Sequence, residues 1–269
     1  QRLMELYLYV CFCVLAAIFG ACFGSFANVL IYRLPAGESL VKGASHCTTC
    51  GKKILKRDNV PIISYVALRG KCRFCGSKIN PRYVIVESIT ALVFLGFALL
   101  SPIIGFAYSV FCMAFSVPVI AVAFIDFETG YIPDSLNVTI LVIGALACVY
   151  SAVFGGYVGW ISRLVGLGFC LVFFGGAYFI SKWILKREGL GFGDVKFTAA
   201  CGLFLGIKSA FFATLVSTIL ASVILVIIQA KNKSEEKQKE YPFAPFLAFG
   251  ILVAAFVGEI VVNSYLALF

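Results

Sequence analysis

Four cysteines form two C-x-x-C pairs inside one polar loop, Cys47-T-T-Cys50 and Cys72-R-F-Cys75. Two such pairs at this separation can converge on one tetrahedral metal ion, and four thiolates favour Zn²⁺. A glycine follows each pair and permits the tight turn that such a knuckle needs. The spacing therefore predicts a structural zinc site, with a redox pair and an iron–sulfur cluster as alternatives. We expect the neighbouring His46 to be a surface residue.

Two carboxylates lie beside apolar runs. Asp126 directly follows V-I-A-V-A-F-I, and Asp194 lies in the glycine-rich string G-L-G-F-G-D-V-K. A carboxylate at a membrane edge is costly unless it is solvated or used. Two carboxylates that meet can share one proton, so that the charged one activates a water and the neutral one protonates the carbonyl or the leaving group. We therefore predict a catalytic pair, Asp126 and Asp194, although Asp194 could simply be the N-cap of a helix.

Other hydrolytic chemistries are excluded by composition. The chain has one histidine, in the cysteine loop, and no H-E-x-x-H motif. An intramembrane zinc protease needs that motif, and a Ser-His dyad needs a histidine at membrane depth. Carboxylates are therefore the proton-handling groups that remain near the membrane.

The segments that flank these residues are mostly apolar. Of the 269 residues 61% are hydrophobic and 13% charged, which excludes a soluble core and a disordered chain. Most of the apolar runs approach the ~20 residues that cross a bilayer. They cover 6–31, 84–100, 106–125, 136–154, 158–180, 195–207, 210–228 and 246–269. We predict an all-α polytopic membrane bundle of about eight spans, in which 195–207 and 210–228 are two helices or one broken re-entrant unit.

The charge distribution predicts topology rather than nucleic-acid binding. The net charge of +9 lies entirely within residues 33–82. The positive-inside rule then places this loop in the cytosol and the N-terminus outside. Counting spans places Asp126 and Asp194 on the cytosolic side as well. The predicted domains are a first transmembrane helix at 1–32, a cytosolic four-cysteine domain at 33–83 and a transmembrane core at 84–269. A reducing compartment disfavours disulfides, and the first run is too long for a cleavable signal peptide.

Three further features near the spans are polar or unusually small. Glu87 lies in the first turn of its helix, where dipole compensation is expected. Glu259 lies deep in the last span, where a functional or paired role is the default and no partner can be named from sequence. Gly20 and Gly24 have the spacing of close helix packing.

The chain resembles a known family, the type IV prepilin peptidases. Five segments match in order and cover nearly the whole chain. They are F-G-S-F-A-N-V-L-I-Y-R-L-P, the paired-cysteine loop through R-Y-V-I-V-E, I-D-F-E-T-G-Y-I-P-D, G-F-G-D-V-K and P-F-A-P-F-L-A. The resemblance implies aspartic protease chemistry of the G-x-G-D type in a bacterial inner membrane, with Asp126 and Asp194 as the catalytic residues. It also implies that Cys47, Cys50, Cys72 and Cys75 form the zinc-type loop.

The resemblance implies the substrate as well. Prepilin or pseudopilin proteins would be cut after a glycine that ends a short basic leader, and the new N-terminus would be methylated from S-adenosylmethionine. No glycine-rich nucleotide-binding motif supports the methyl donor. The first knuckle reads C-T-T-C where the family often has C-P-x-C. In addition F-A-P-F stands in place of F-G-P-F, a change that we expect to touch neither a metal ligand nor a catalytic carboxylate.

A basic leader needs a counter-charge near the scissile bond. The acids Asp126, Glu128 and Asp134 form a stretch without Lys or Arg that could orient the leader. Glycines before Asp194 would let an extended substrate backbone come close. The predicted substrate contacts are Glu128, Asp134, Gly191, Gly193 and Lys196.

Two other functions fit the same residues. A proton-coupled transporter would use membrane carboxylates as relays, although transporter sites tend to lie near the bilayer midplane. A membrane methyltransferase without peptidase action would tolerate the loss of either aspartate. Pilus assembly, type II secretion and competence are not distinguished by the sequence, and neither is the oligomeric state.

Overall fold

The computed structural model describes residues 2–41, 43, 45–184, 190–231 and 242–268. The helices are α1 (Arg2–Arg33), α2 (Ile63–Ala67), α3 (Arg82–Ile104), α4 (Phe106–Thr129), α5 (Asp134–Phe154), α6 (Trp160–Trp183), α7 (Phe192–Lys231) and α8 (Ala244–Leu266). Within these ranges there is no strand, and only two isolated β-bridges occur, both in the cysteine loop. Seven of the helices are long and apolar enough to cross a membrane. The predicted all-helical membrane fold is confirmed.

Helix α7 contains the pair of runs that the sequence left open. Its apolar part, Phe192–Ile228, has 37 residues, far more than one crossing needs. Gly206 breaks it with φ 78° and ψ 168°, a conformation that glycine adopts without a Cβ penalty. Thr198 before the break and Ser217 after it line the same small cavity. The two halves therefore lie side by side, and the chain turns back at a single residue.

The chain divides into two compact units, Gln1–Ala121 and Val122–Phe269. In the first unit α1 packs against α3 through its two glycines. A Cβ at Gly20 would lie 2.7 Å from the Cα of Ala91, and one at Gly24 would lie 2.6 Å from the Cα of Glu87. The spacing of these glycines therefore serves close helix packing.

In the second unit, glycines again set the distances between helices. A Cβ at Gly202 of α7 would lie 2.5 Å from the carbonyl oxygen of Gly166 on α6. A Cβ at Gly258 of α8 would lie 2.8 Å from Oγ of Ser209 on the second half of α7. The first half of α7, which carries Asp194, is thus held against α6 at backbone distance.

Glu259 has partners that the sequence could not name. Its Oε2 accepts a hydrogen bond of 3.4 Å from Nδ2 of Asn263, and it interacts electrostatically with Lys208 and Arg163. Arg163 is 2% exposed and donates to the carbonyl of Phe204, just before the break in α7. Glu259 therefore supplies a negative charge that favours the burial of an arginine at the end of a half-helix.

Candidate functional site

The second unit brings the two predicted catalytic aspartates together. Asp126 lies in the last turn of α4 and Asp194 in the first turn of α7. Both are largely buried, with 6% and 7% of their surfaces exposed. The Asp126 carboxylate interacts electrostatically with Asp194. Two buried carboxylates that interact electrostatically can share one proton, which is what activation of a water requires.

The main chain at the start of α8 binds Asp126. The amide of Ala244 donates a hydrogen bond of 3.0 Å to Oδ2 of Asp126. The first amides of a helix have no carbonyl partner within the helix, so the carboxylate satisfies a donor that would otherwise be unpaired. The expectation that the F-A-P-F segment touches no catalytic carboxylate is therefore wrong. The contact comes from the backbone, which explains why alanine can replace glycine there.

Asp194 closes the turn that begins α7. Its Oδ2 accepts a hydrogen bond of 3.2 Å from the amide of Gly191, while its own amide donates to the Gly191 carbonyl at 3.1 Å. The helix begins at Phe192, so Asp194 occupies its third position and reaches back to the residue before the helix. It is not the N-cap residue itself. One of its oxygens orders the turn.

The predicted substrate contacts surround this pair unevenly. Glu128 is exposed in the last turn of α4. Asp134, at the start of α5, accepts a hydrogen bond of 2.9 Å from Nζ of Lys196, and both side chains are substantially exposed. A Cβ at Gly193 would touch Ile132 at 3.4 Å. Lys196 thus binds to the acidic stretch from α7, a contact that the sequence did not predict. Because both side chains are exposed, the pair costs little to separate.

The four cysteines of the loop form one group in the first unit. Their sulfur atoms all lie within 4.8 Å of one another, and the sulfurs of Cys47 and Cys75 are 3.9 Å apart. Sulfurs at ~2.3 Å from a tetrahedral ion are ~3.8 Å from each other. All eleven cysteines are free thiols. The group fits a tetrahedral metal ion, whereas His46 is exposed and lies outside it.

The two knuckles have the same backbone. The amide of Gly51 donates to the carbonyl of Cys47 at 2.8 Å, and that of Gly76 donates to Cys72 at 2.9 Å. Both glycines have a positive φ, 68° and 70°. The predicted role of glycine after each pair is confirmed.

Hydrogen bonds lower the pKa values of two of the four thiols and so favour the thiolates that bind a cation. The amide of Cys50, followed by that of Thr49, lowers the pKa of Cys47 to about 6. The hydroxyl of Ser77 lies 3.0 Å from the sulfur of Cys75 and 3.7 Å from that of Cys47, and it lowers the pKa of Cys75. Although the Lys52 amide favours the Cys50 thiolate, burial and the neighbouring thiols raise the pKa of Cys50 to about 11. A metal ion would deprotonate such a thiol.

Ser77 and Ala244 were missed by sequence reasoning. Ser77 stands two residues after the second pair, and a hydroxyl close to a knuckle is a weak signal that could have indicated a sulfur partner. Ala244 contributes a backbone amide and has no residue-type signal at all.

The sequence matches known proteins along almost its whole length. Residues 18–101 match the family described as Bacterial Peptidase A24 N-terminal domain, and residues 113–226 match the Type IV leader peptidase family. The prepilin leader peptidase/N-methyltransferase of Dichelobacter nodosus is 32% identical in an alignment that covers 90% of this chain and 92% of that protein.

Two other relatives with similar names also match the chain over most of its length. The type 4 prepilin-like proteins leader peptide-processing enzyme of Escherichia coli is 33% identical over 88% of this chain and 91% of its own length. The prepilin leader peptidase/N-methyltransferase of Pseudomonas putida is 28% identical over 96% of this chain and 94% of its own. No solved structure matches the chain significantly.

Proposed function

The chain belongs to the type IV leader peptidase family, and from that premise we propose that it is an endopeptidase that removes the leader from type IV prepilin-like proteins. Cleavage follows a glycine at the end of a short basic leader. The observation that carries the proposal is the electrostatic contact between the two buried carboxylates, Asp126 and Asp194.

The pair performs hydrolysis by sharing one proton. The ionised carboxylate accepts a proton from water as the water oxygen bonds to the scissile carbonyl carbon. The protonated carboxyl gives its proton to the carbonyl oxygen, which forms a tetrahedral intermediate. Collapse of the intermediate breaks the carbon–nitrogen bond, and a proton passes to the departing amine. The leader leaves with a C-terminal carboxylate, and the mature chain has a free amine.

Removal of either carboxylate tests this function. Asp126→Asn and Asp194→Asn keep size and polarity, and each should lower cleavage of a prepilin-like peptide by about 10²-fold or more. The purified variants should unfold thermally near the wild type in the same lipid nanodiscs. Glu5→Gln, which removes an exposed acid at the start of α1, is the matched control. Near-normal cleavage by either aspartate variant rejects the two-carboxylate mechanism, whereas wild-type protein that methylates a processed peptide but cleaves no leader would be a methyltransferase without peptidase action.

We place the protein in the bacterial inner membrane. The net charge of +9 within residues 33–82 favours a cytosolic cysteine loop and an external N-terminus. The same parity of spans puts the aspartates on the cytosolic side, where a basic leader remains after its protein is synthesised. Protease accessibility of the loop in inverted and right-side-out vesicles tests the orientation.

The four-cysteine group holds a structural Zn²⁺ in this proposal. Cys47, Cys50, Cys72 and Cys75 would supply four thiolates, and the ion would cross-link the two knuckles. The metal content of purified protein tests it. One zinc per chain, lost in the Cys47→Ser variant, is the expected result. Another metal at full occupancy, or none with an intact loop, would reject zinc.

We further propose that the new N-terminus is methylated, as the names of the relatives indicate for those proteins. The donor implied by the family resemblance is S-adenosylmethionine, which supplies an electrophilic methyl group. Within the described ranges we find no strand–turn–helix that could hold its nucleoside, so no step is assigned to a residue. Mass spectrometry tests it, because a processed peptide with a free N-terminal Phe should gain one methyl group even with Asp126→Asn protein.

A further inference from the structure

The cysteine loop contains one strained turn. Ile62 has φ 62° and ψ −54°, and the amide of Ile63 donates to the carbonyl of Pro61 at 2.6 Å. This is a γ-turn with a positive central φ, the rare and strained form of the turn. A β-branched residue in that conformation is an outlier that surrounding contacts must hold.

A carboxylate from a membrane helix holds it. The amide of Ile62 donates a hydrogen bond of 2.7 Å to Oε2 of Glu87 on α3. Glu87 also hydrogen-bonds Ser25 on α1 and is 8% exposed. The turn is therefore fastened directly to α3 and, through Glu87, to α1. The prediction that Glu87 lies in the first turn of its helix is wrong, because α3 begins at Arg82 and Glu87 is its sixth residue. The contact with Ile62, rather than dipole compensation, explains an acid at this position.

The attachment points fix the depth of the turn. Glu87 lies five residues beyond Arg82, the start of α3, which is roughly 7.5 Å along the helix axis. Ser25 lies eight residues before Arg33, the end of α1, or roughly 12 Å. The polar region of a bilayer leaflet is only about 5–8 Å thick. Taking the ends of the two helices, at Arg33 and Arg82, as the level of the lipid headgroups places the turn beside the spans, at the boundary between headgroups and acyl chains.

The outward side of this segment is apolar. Ile63 and Val66, one helical turn apart on α2, are 67% and 66% exposed. Ser64, between them, is buried and faces inward, because its hydroxyl donates to the carbonyl of Arg57 and accepts from the amide of Val60. Two large aliphatic side chains left in water at this depth would forgo the stabilisation that contact with lipid provides.

Two basic residues follow the apolar face of α2 in the sequence. Arg69 and Lys71 are both exposed, immediately after α2. A short apolar face followed by basic residues is the pattern of an element that lies in the membrane interface and attracts anionic headgroups.

We propose that residues 61–67 form a membrane-surface anchor, in which Ile63 and Val66 insert among lipids at the headgroup–acyl boundary. The bilayer is the occupant because Ile62 is hydrogen-bonded to Glu87 within a membrane helix, and the neighbouring Ile85 of that helix is itself apolar and 45% exposed. The anchor fixes the height of the four-cysteine group above the membrane through a few residues of chain, from Ala67 to Cys72. The inference concerns membrane attachment and is independent of the reaction that the carboxylates perform.

Tryptophan fluorescence in nanodiscs tests the anchor. The native tryptophans are first replaced, as Trp160→Phe and Trp183→Phe, and Val66→Trp is then added. The control is Phe74→Trp, which replaces a 46% exposed ring in the second knuckle. Lipids brominated near the headgroup should quench the Val66→Trp variant at least about twofold more than the control. Aqueous acrylamide should show the reverse order.

Two other quenching patterns would overturn the proposal. Equal acrylamide quenching of both variants, without lipid quenching, would place Val66 in water and overturn the proposal. Protection of Val66→Trp from both quenchers would mean that protein covers the face, which also rejects lipid. Ile63→Trp provides a second site if Val66→Trp does not fold, and a monodisperse elution profile is the criterion for folding.

Discussion

The amide of Ala244 binds the carboxylate of Asp126 across 118 positions of the chain, at 3.0 Å. Because Ala244 is the first residue of α8 and Asp126 lies in the last turn of α4, the bond joins the ends of two membrane helices. Asp194, at the start of α7, interacts with the same carboxylate. The candidate active site is thus made of helix ends, whose positions depend on how α4, α7 and α8 pack.

Gly191 donates its amide to the Asp194 carboxylate and leaves little space beside it. A Cβ at this position would lie 3.3 Å from Oδ2 of Asp194, so the carboxylate would have to move by a few tenths of an ångström. We expect Gly191→Ala to lower kcat/KM for leader cleavage by about tenfold, because small misplacements of a reacting group are costly. Steady-state cleavage of a leader peptide measures the loss.

The matched variants separate crowding from helix capping. Gly191→Ser adds the same Cβ but keeps a good N-cap residue, so it should lose as much activity as Gly191→Ala. Gly176→Ala on α6 adds a Cβ where no atom lies within 4 Å and should cleave normally. If Gly191→Ser restored full cleavage, crowding of the carboxylate would not be the cause.

Gly202 sets the distance between α6 and the half-helix that carries Asp194. A Cβ there would lie 2.5 Å from the backbone oxygen of Gly166 and 2.8 Å from the sulfur of Cys170. Gly202→Ala should therefore destabilise the protein by about 1–3 kcal/mol through overpacking. Thermal unfolding in detergent measures it. Gly168→Ala, in open space on α6, should be neutral or stabilising, and equal unfolding temperatures for the two variants would contradict the close approach.

Asp58 supports the second knuckle through Arg73. Two hydrogen bonds of 2.7 Å join the Asp58 carboxylate to the Arg73 guanidinium, and Arg73 stands between Cys72 and Cys75. Arg73 holds the pKa of Asp58 below its usual 3.8, so the pair contributes fully at neutral pH and is lost only as pH falls through that lowered value.

Loss of this pair should therefore loosen metal binding at neutral pH. We expect Asp58→Asn to weaken metal affinity by about tenfold, the lower end for residues that orient a ligand loop. Competition with a chromogenic chelator at pH 7 measures the change. Glu38→Gln removes the other acid of the loop, which is exposed, and should bind metal like the wild type. Equal affinities for Asp58→Asn and the wild type would show that the pair does not position the knuckle.

Features with a repeated local signature were predictable. Each knuckle is encoded within a few residues by two cysteines and a glycine, and both fold as the spacing predicts. The membrane helices follow from apolar length. The approach of Asp126 and Asp194 could be inferred because both stand at ends of spans of the same parity, and helix length then fixes their common depth.

Contacts made by the main chain could not be predicted. The Ala244 amide and the strained Ile62 turn carry no residue-type signal, because any non-proline residue has the same N–H group. The partner of Glu87 was missed for this reason. The pairing of Asp134 with Lys196 depends on the lateral packing of α5 and α7, which hydropathy does not specify.

Glu128 provides the test of leader steering. Glu128 is exposed two residues after Asp126. If the acids attract a basic leader, Glu128→Gln should lower kcat/KM by about 2–10-fold at low ionic strength and flatten its salt dependence, because exposed charges are screened within ~10 Å at 0.1 M salt. Glu5→Gln should keep the wild-type salt profile, because Glu5 lies in the first turn of α1, at the end that the predicted topology places outside. Cleavage by Glu128→Gln that matches the wild type at every salt concentration would assign leader recognition to other residues.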